Sequence, residues 1–573
     1  MAPMSGRRLY VTINLVAGLA IFFFGYDQGM MGGLCIRDRA TLRWRVNHLS
    51  GRGQYISRLC PHHEVGIFDV RRSFRRLCCD NYGAYQTRGS RQHLLPRCVG
   101  RKSHGRCHGG SVSTMRDQLA LTIENMSHRI GRIKTMMWGS VWVLLGATLQ
   151  CSAQNITWMC CARVINGIGT GHLNAIVPVW SAEVATHTSR GAFIASEFTL
   201  NIFAVVVAYW IEFGLSFIGD GSSPVRWRLP VALQIIPVLA LMTFLPHMPE
   251  SPRWLIKMGR IEEARVLLSR FRTEDGNLED ARVVAEFEEI LAAAELEKQH
   301  AAATSYVAMF FGLHDGKLHV ARRVQLSIWL QIFQEWSGIA AIIFYAPTIF
   351  SGAGYGARKS QWLSGLNYVT YTTCTLLGIV SIDRVGRRIG LWWGAVGQGT
   401  SLILAGAFIR LLKDHPDMAR RYGGAAALCV FLYTAIFGAT WLAIPWVYQT
   451  ETFPLYVRAK GNAWGVVGWS IGNGWLTLLN PVMFARIAEN TLHVFGAVNF
   501  LTIPIVWAFY PETANRTLEE MDHLFMSDSP FVWDEEAHFQ QWKRQEVERT
   551  VDSALVRAGS TNDPKSEKME RDI

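Results

Sequence analysis

Charge is what this 573-residue chain is shortest of. Only 18% of its residues are Asp, Glu, Lys or Arg, against about 25% in ordinary soluble domains. Between about Trp138 and Tyr510 the chain instead runs apolar, again and again, for long enough to cross a bilayer core of about 30 Å. A soluble core needs polar faces between its apolar ones, so ten such runs exclude a soluble fold. The sequence also lacks a nucleophile–base pair, a phosphate-binding loop and a metal motif, so it offers no support for an enzyme and implies no cofactor. Its first apolar run, about Leu9 to Gly33, has no small-residue cleavage site and is too long for a removable signal peptide.

A net charge of +12 would suggest nucleic acid or an anionic surface. Its location removes that reading. The stretch Leu34–His128 holds sixteen Arg, one Lys and six acids, a net +11, so the rest of the chain is close to neutral. Six of the eleven cysteines lie there too; the others, Cys151, Cys160, Cys161, Cys374 and Cys429, sit in or beside apolar stretches as ordinary small apolar residues. No disulfide framework follows. Cys60, His62, His63, Cys78, Cys79, His104, Cys107 and His108 fit no zinc spacing with a helix or turn behind it.

After the first span, which Arg7 and Arg8 place with its N-terminus in the cytoplasm, spans are expected near Thr135–Ala153, Trp158–Ser181, Ser196–Phe217 and Trp227–Leu245. A polar stretch then carries two amphipathic helices, with stripes Ile261, Ala264, Leu268 and Val284, Phe287, Leu291. Six more spans follow, near Val324–Phe350, Gln361–Ile382, Gly390–Leu411, Gly424–Trp446, Gly461–Phe484 and Phe495–Tyr510. Eleven is the wrong parity. The Lys/Arg bias puts the N-terminus and the long loop on one face, and five spans would put them on opposite faces. The missing span belongs in Leu34–His128, whose sixteen-to-one preference for Arg over Lys is what out-of-frame translation of a GC-rich gene gives. The expectation is a frameshift or mis-spliced exon; the alternative is a disordered extracellular insertion. The expected divisions are 1–256, an N-terminal helix bundle with 34–128 mistranslated; 257–320, a cytoplasmic loop; 321–510, a C-terminal bundle; and 511–573, a cytoplasmic tail.

The two halves repeat. Glu183 is followed seven residues later by Arg190, and Glu451 seven later by Arg458. Before them stand Arg129-Ile130-Gly131-Arg132 and Asp383-Arg384-Val385-Gly386-Arg387-Arg388; after them come Pro249-Glu250-Ser251-Pro252-Arg253 and Pro511-Glu512-Thr513. Two parallel repeats about a central path is how many secondary transporters are built. Glu183, Arg190, Asp383, Arg387, Glu451 and Arg458 are therefore expected to form gating pairs between neighbouring helices on the cytoplasmic face, beyond simple positive-inside anchoring.

Arg129-Ile-Gly-Arg132, Arg163-x-x-x-Gly167-x-Gly169-x-Gly171, Pro249-Glu-Ser-Pro-Arg-Trp254, Gln334-Glu-Trp-Ser-Gly338, Asp383-Arg-x-Gly-Arg-Arg388 and Pro511-Glu-Thr513 together resemble the sugar porter branch of the major facilitator superfamily. Phe24-Gly-Tyr-Asp-Gln-Gly29 further resembles its fungal monosaccharide transporters. The resemblance covers about Leu9–Gly33 and Arg129–Asp522. It implies an all-α membrane protein, twelve helices in two six-helix bundles with a sugar site between them. It breaks at His128, where the second half has Asp383.

An ionisable group inside a span is functional by default, which singles out Asp27. By resemblance it is the proton acceptor, with Arg163 its counter-charge. A sugar site needs amides, carboxylates and aromatic faces among apolar walls. The resemblance supplies Gln334, Glu335, Asn367 and Trp446, with Asn473 and Trp469 in the eleventh helix. It also shows departures: Glu335 where many relatives carry a second Gln, Ala340 where they carry Asn, and Phe198 beside Glu197 where a sugar-binding Gln is usual. The expected function is proton-coupled uptake of a hexose or pentose across the plasma membrane, with the sugar, protons and lipid as partners and no nucleic acid. The alternatives are a facilitator, a carrier for a disaccharide, inositol or quinate-like acid, a non-transporting sugar sensor, and an inactive product of a damaged gene model.

Overall fold

The computed structural model describes residues 6–34, 130–184, 190–218, 225–273, 276–299, 305–313, 316–454, 456–514 and 516–560. Residues 35–129 are outside that set, and with them the anomalous segment and the reading of a lost second span. The side chains of Arg190 and Asp383 are outside it as well.

A helix stands at each of the eleven expected spans. The first half holds α1 (Gly6–Leu34), α2 (Arg132–Cys151), α3 (Ile156–Val184), α4 (Arg190–Leu215) and a fifth path in two pieces, α5 (Val225–Leu233) and α6 (Ile235–Phe244). The polar loop folds as four short helices, α7 (Pro252–Lys257), α8 (Ile261–Arg272), α9 (Ala281–Gln299) and α10 (Tyr306–Phe311). The second half begins with α11 (Val320–Gln334), which passes through a single π turn at 335–339 into α12 (Ala340–Gly352). It continues with α13 (Ala357–Val385), α14 (Arg387–Asp414), α15 (Ala419–Ala439), α16 (Ile444–Thr452), α17 (Arg458–Arg486) and α18 (Asn490–Phe509). Two tail helices follow, α19 (Leu518–Leu524) and α20 (Val532–Ser560). Among the described residues, seven of the membrane paths are long and apolar enough to cross a bilayer on composition alone. The other four, α2, α3, α13 and α17, carry more small and polar residues.

Small residues are what let these helices approach. On Gly169 of α3 a Cβ would stand 2.5 Å from the Val143 backbone nitrogen of α2, so the glycine-rich motif fits two helix backbones together. The pairing of helices repeats as the sequence does: α1 packs on α4 as α11 packs on α17, and α2 on α3 as α14 on α15. Each half has its own core, around Phe23, Val143, Trp180 and Leu241 in the first and around Phe350, Leu402, Tyr433 and Phe495 in the second.

Three expectations change. In α8 Ala264 and Leu268 are buried as expected, but Ile261, at the first turn, is exposed. In α9 the buried stripe is Val283, Phe287 and Ile290, one residue out of phase with the expected Val284, Phe287 and Leu291; Leu291 is exposed. The sequence offers two overlapping apolar stripes, and contact with Trp254, Leu255 and Leu268 selects one. The tail, expected as a polar extension, is bound to the second half. Arg323, fully buried at the start of α11, donates to Asp522 (2.6 Å) and to the Thr452 carbonyl (2.8 Å), with Phe525 against its guanidinium. Arg322 pairs with the buried Glu535, and Trp507 lies 5.1 Å from Trp533.

Arg323→Ala is expected to cost about 3 kcal/mol, the low end for breaking a buried ion pair because Asp522 keeps some contact with water. It should also expose the 511–531 connection to protease. Thermal unfolding and limited proteolysis in detergent check both; an unchanged cleavage rate would mean that other contacts hold the tail.

Candidate functional site

At the end of the bundle that carries the polar loop, the repeat becomes a matched pair of clusters. Arg132 donates to both Glu183 oxygens, at 3.0 and 3.2 Å, while Glu250 accepts the backbone N–H groups of Arg132 (3.0 Å) and Ile133 (3.1 Å). In the second half Arg387 donates to both Glu451 oxygens, at 2.7 and 3.2 Å, while Glu512 accepts the N–H groups of Arg387 (2.8 Å) and Arg388 (3.0 Å). Helices α2 and α14 thus begin on a carboxylate that takes up their free N–H groups and complements the helix dipole. Burial pushes the Glu250 carboxyl up, against the opposing pull of those N–H groups. The residues ahead, Gly131 and Gly386, hold φ of 107° and 93°, and a Cβ there would stand 2.5 and 2.9 Å from the Glu250 and Glu512 oxygens. Only glycine serves.

Each ion pair lies inside one half. The partners are Arg132 and Arg387, upstream of the acids, and Arg458 reaches the Phe453 carbonyl (3.4 Å). Arg132, Glu250 and Glu512 stand in the repeated motifs, while the side chain of Arg190 lies outside the described residues.

A central cavity of about 260 Å³ lies between the halves. Two broken helices shape it. The π turn of 335–339 contains Gly338 at φ 110°, and it turns Gln334 and Glu335 inward at mid-span. Facing it, α15 stops and α16 starts after a gap of only four residues, freeing backbone carbonyls inside the membrane. Gln334 meets that need: its amide nitrogen donates to the carbonyls of Trp441 (2.7 Å) and Leu442 (2.9 Å). Asn499 does the same for the Ser337 carbonyl (2.8 Å).

Gln334, Glu335, Trp446, Glu197 and Asn473 all line the cavity. Asn367 does not: it is covered on all sides by packed helices, and Tyr371, one turn along α13, faces the space instead. The aromatic walls pair across the halves, Phe24 with Trp469 at 5.9 Å and Phe198 with Trp446 at 5.1 Å. Phe24, Asn201 and Tyr371 are lining residues that reading the sequence missed. Helical spacing from Asp27 and Glu197 could have found the first two. Glu197 and Glu335 are 5% and 4% exposed, and each keeps one oxygen without a hydrogen-bond partner among the described residues.

Away from the polar loop, Arg163 of α3 donates to Asp27 of α1 at 2.8 Å. Beyond the cavity on that side α4 closes on α13. Tyr209 stacks edge-on against Tyr368 at 4.9 Å and donates to the Gln361 carbonyl (3.1 Å). On the other side the cavity runs to the polar-loop end, where Arg253, Lys257, Glu297 and Lys460 line it. The site is therefore a passage closed at one end.

Comparison with known proteins agrees with this architecture. The family described as sugar (and other) transporter matches residues 117–525. Sugar transporter STL1 of Saccharomyces cerevisiae is 32% identical over 553 residues, covering 95% of this chain and 87% of that protein. A probable quinate permease of Aspergillus fumigatus is 31% identical over 413 residues, 69% of this chain and 75% of its own. Among solved structures, the proton:xylose symporter XylE from E. coli, bound to 6-bromo-6-deoxy-D-glucose, superposes with a TM-score of 0.65 at 22% identity, over 90% of this chain and 99% of that one.

Gln334→Leu strands two buried carbonyls. It is expected to lower stability by about 2–6 kcal/mol, at about 1–3 kcal/mol for each unsatisfied group. A thermal melt of the ligand-free protein in detergent checks this; an unmoved midpoint would mean that Gln334 serves the ligand alone.

Proposed function

This chain belongs to the sugar porter family of the major facilitator superfamily, a family of multi-pass membrane transporters and not of enzymes, and from that premise we propose that it imports a monosaccharide across the plasma membrane by proton symport. The observation that carries the reading is the cavity between the halves, with aromatic faces contributed in pairs by both. Sugars present apolar C–H faces and many hydroxyls. Trp446 and Trp469 offer the ring surfaces, and Asn201, Asn473 and the free oxygen of Gln334 offer the hydrogen bonds. The centre of the cavity has no cation among the described residues, which weighs against a quinate-like carboxylate.

Transport requires the cavity to face each side in turn. The contact of Tyr209 with Tyr368 bars one exit, and the Arg132–Glu183 and Arg387–Glu451 clusters act at the other. Because each cluster is internal to one half, it keeps that half rigid while the halves rock against each other. Asp27 and Arg163 join the ends of two helices of the first half. Protonating Asp27 releases Arg163 and loosens α1 from α3, which is how a proton is coupled to the rocking.

Uptake of radiolabelled xylose and glucose by yeast that lacks its own hexose carriers tests the proposal. A protonophore is expected to abolish accumulation against a gradient. Asp27→Asn should lower accumulation about tenfold or more while equilibrating exchange persists. Accumulation that survives the protonophore would overturn symport, and absence of any uptake would favour a sensor.

A further inference from the structure

Proton coupling in this chain is not exhausted by Asp27. That carboxylate is already held by Arg163 at 2.8 Å. The cavity contains two other acids with no such support. Glu197 comes from α4 of the first half, and Glu335 from the π turn of the second. Each lines the cavity, is at least nine-tenths buried, and has one carboxyl oxygen lacking a partner among the described residues.

Their surroundings are neutral. Glu197 has Ser181 of α3 against it. Glu335 has the Trp469 indole of α17, with the phenols of Tyr371 on α13 and Tyr433 on α15 nearby. The cations that line the cavity, Arg132, Arg253, Lys257, Arg458 and Lys460, belong to its polar-loop end, as do the acids Glu183 and Glu297. There Arg132 is engaged with Glu183, and Lys257 with Glu297 at 2.6 Å. A buried carboxylate with neither a cation nor a full set of donors is costly, and the usual relief is to take up a proton.

Building on the symport reading above, we propose that Glu197 and Glu335 are proton-loading groups of the substrate cavity, so that protons bind in contact with the substrate as well as at the Asp27–Arg163 pair. When the cavity faces outward, each carboxylate takes a proton from external water. The neutral carboxyl then donates its O–H to a substrate hydroxyl and is stable in the closed cavity. When the cavity opens to the cytoplasm, the substrate leaves and the proton passes to cytoplasmic water. Protons balance, and no other reactant is needed. The placement of one acid on each half means that closure brings both beside one substrate.

The test begins without any substrate. Infrared difference spectra of the purified full chain, taken between about pH 5 and about pH 9, are expected to show a protonated-carboxyl C=O band. Glu197→Gln and Glu335→Gln should each remove part of it, and Asp27→Asn should leave those parts in place. The second arm is xylose counterflow in proteoliposomes held at equal pH on both sides, so that no proton gradient drives it. Wild-type exchange should fall about tenfold per pH unit once one carboxyl ionises and about a hundredfold per unit once both do, because the doubly loaded fraction falls by those factors. In Glu335→Gln, whose amide mimics the protonated acid, it should change less than about twofold over the part of that range governed by Glu335. Absence of the band in the wild type, or a band unaltered in both Gln variants, overturns the proposal. Failure of xylose to exchange would count against the symport reading alone, since the infrared arm stands independently of it.

Discussion

Inside a bilayer there is no water to take up a backbone group that a broken helix sets free, and each such group left bare costs several kcal/mol. The central part of this structure follows from that constraint. Helix α15 ends at Ala439 and α16 begins at Ile444, and the gap is tolerable because the Gln334 amide lies against the Trp441 and Leu442 carbonyls. Gln334 can reach them because the π turn displaces the middle of the same span, and that turn in turn depends on Gly338 and on the Asn499 amide at the Ser337 carbonyl. The cavity is the space left where two interrupted helices satisfy each other. The substrate contact proposed above and this structural support are thus the two ends of one side chain.

The same accounting explains how much could be read from the sequence. Spans were legible because length and apolarity are properties of contiguous residues. The repeat was legible because Glu183 and Glu451, with the motifs around them, recur in order. The partners in the clusters were not. Arg132 lies 51 residues from Glu183, and Arg387 lies 64 from Glu451, and nothing local distinguishes them from the arginines seven residues on. The phase of α9 was ambiguous for a related reason: Val283 and Val284 are equally apolar, and only the surface of α7 and α8 decides between them. Asn367 matched a family position, yet burial is set by all the helices around α13, which no single motif records. The docked tail was hidden because Arg322, Arg323, Asp522 and Glu535 read as solvated charge until the fold brings them together.

Although the halves repeat in sequence and in packing, they divide the work unequally. The first span is a continuous helix from Gly6 to Leu34, while its counterpart is broken between α11 and α12. Likewise α3 runs unbroken from Ile156 to Val184, even across Pro178, while its counterpart is broken between α15 and α16. Breaks are where polar groups can be turned into a membrane interior, so the second half supplies Gln334, Glu335 and Trp446. Continuous helices transmit displacement along their length, and the first half has an ion pair, Asp27–Arg163, far from the clusters at its other end. In the proposed function a change at that pair tilts α1 and α3 as continuous rods. The cavity wall they share with the second half must then move as well, because Phe24 on α1 rests on Trp469 and Phe198 on α4 rests on Trp446. In the proposed function these aromatic contacts are the surfaces a bound ring would occupy, and α1 carries both one of them, Phe24, and the proton-binding Asp27. Coupling as proposed therefore needs no relay of side chains between distant sites: α1 joins the proton pair to the aromatic contacts between the halves.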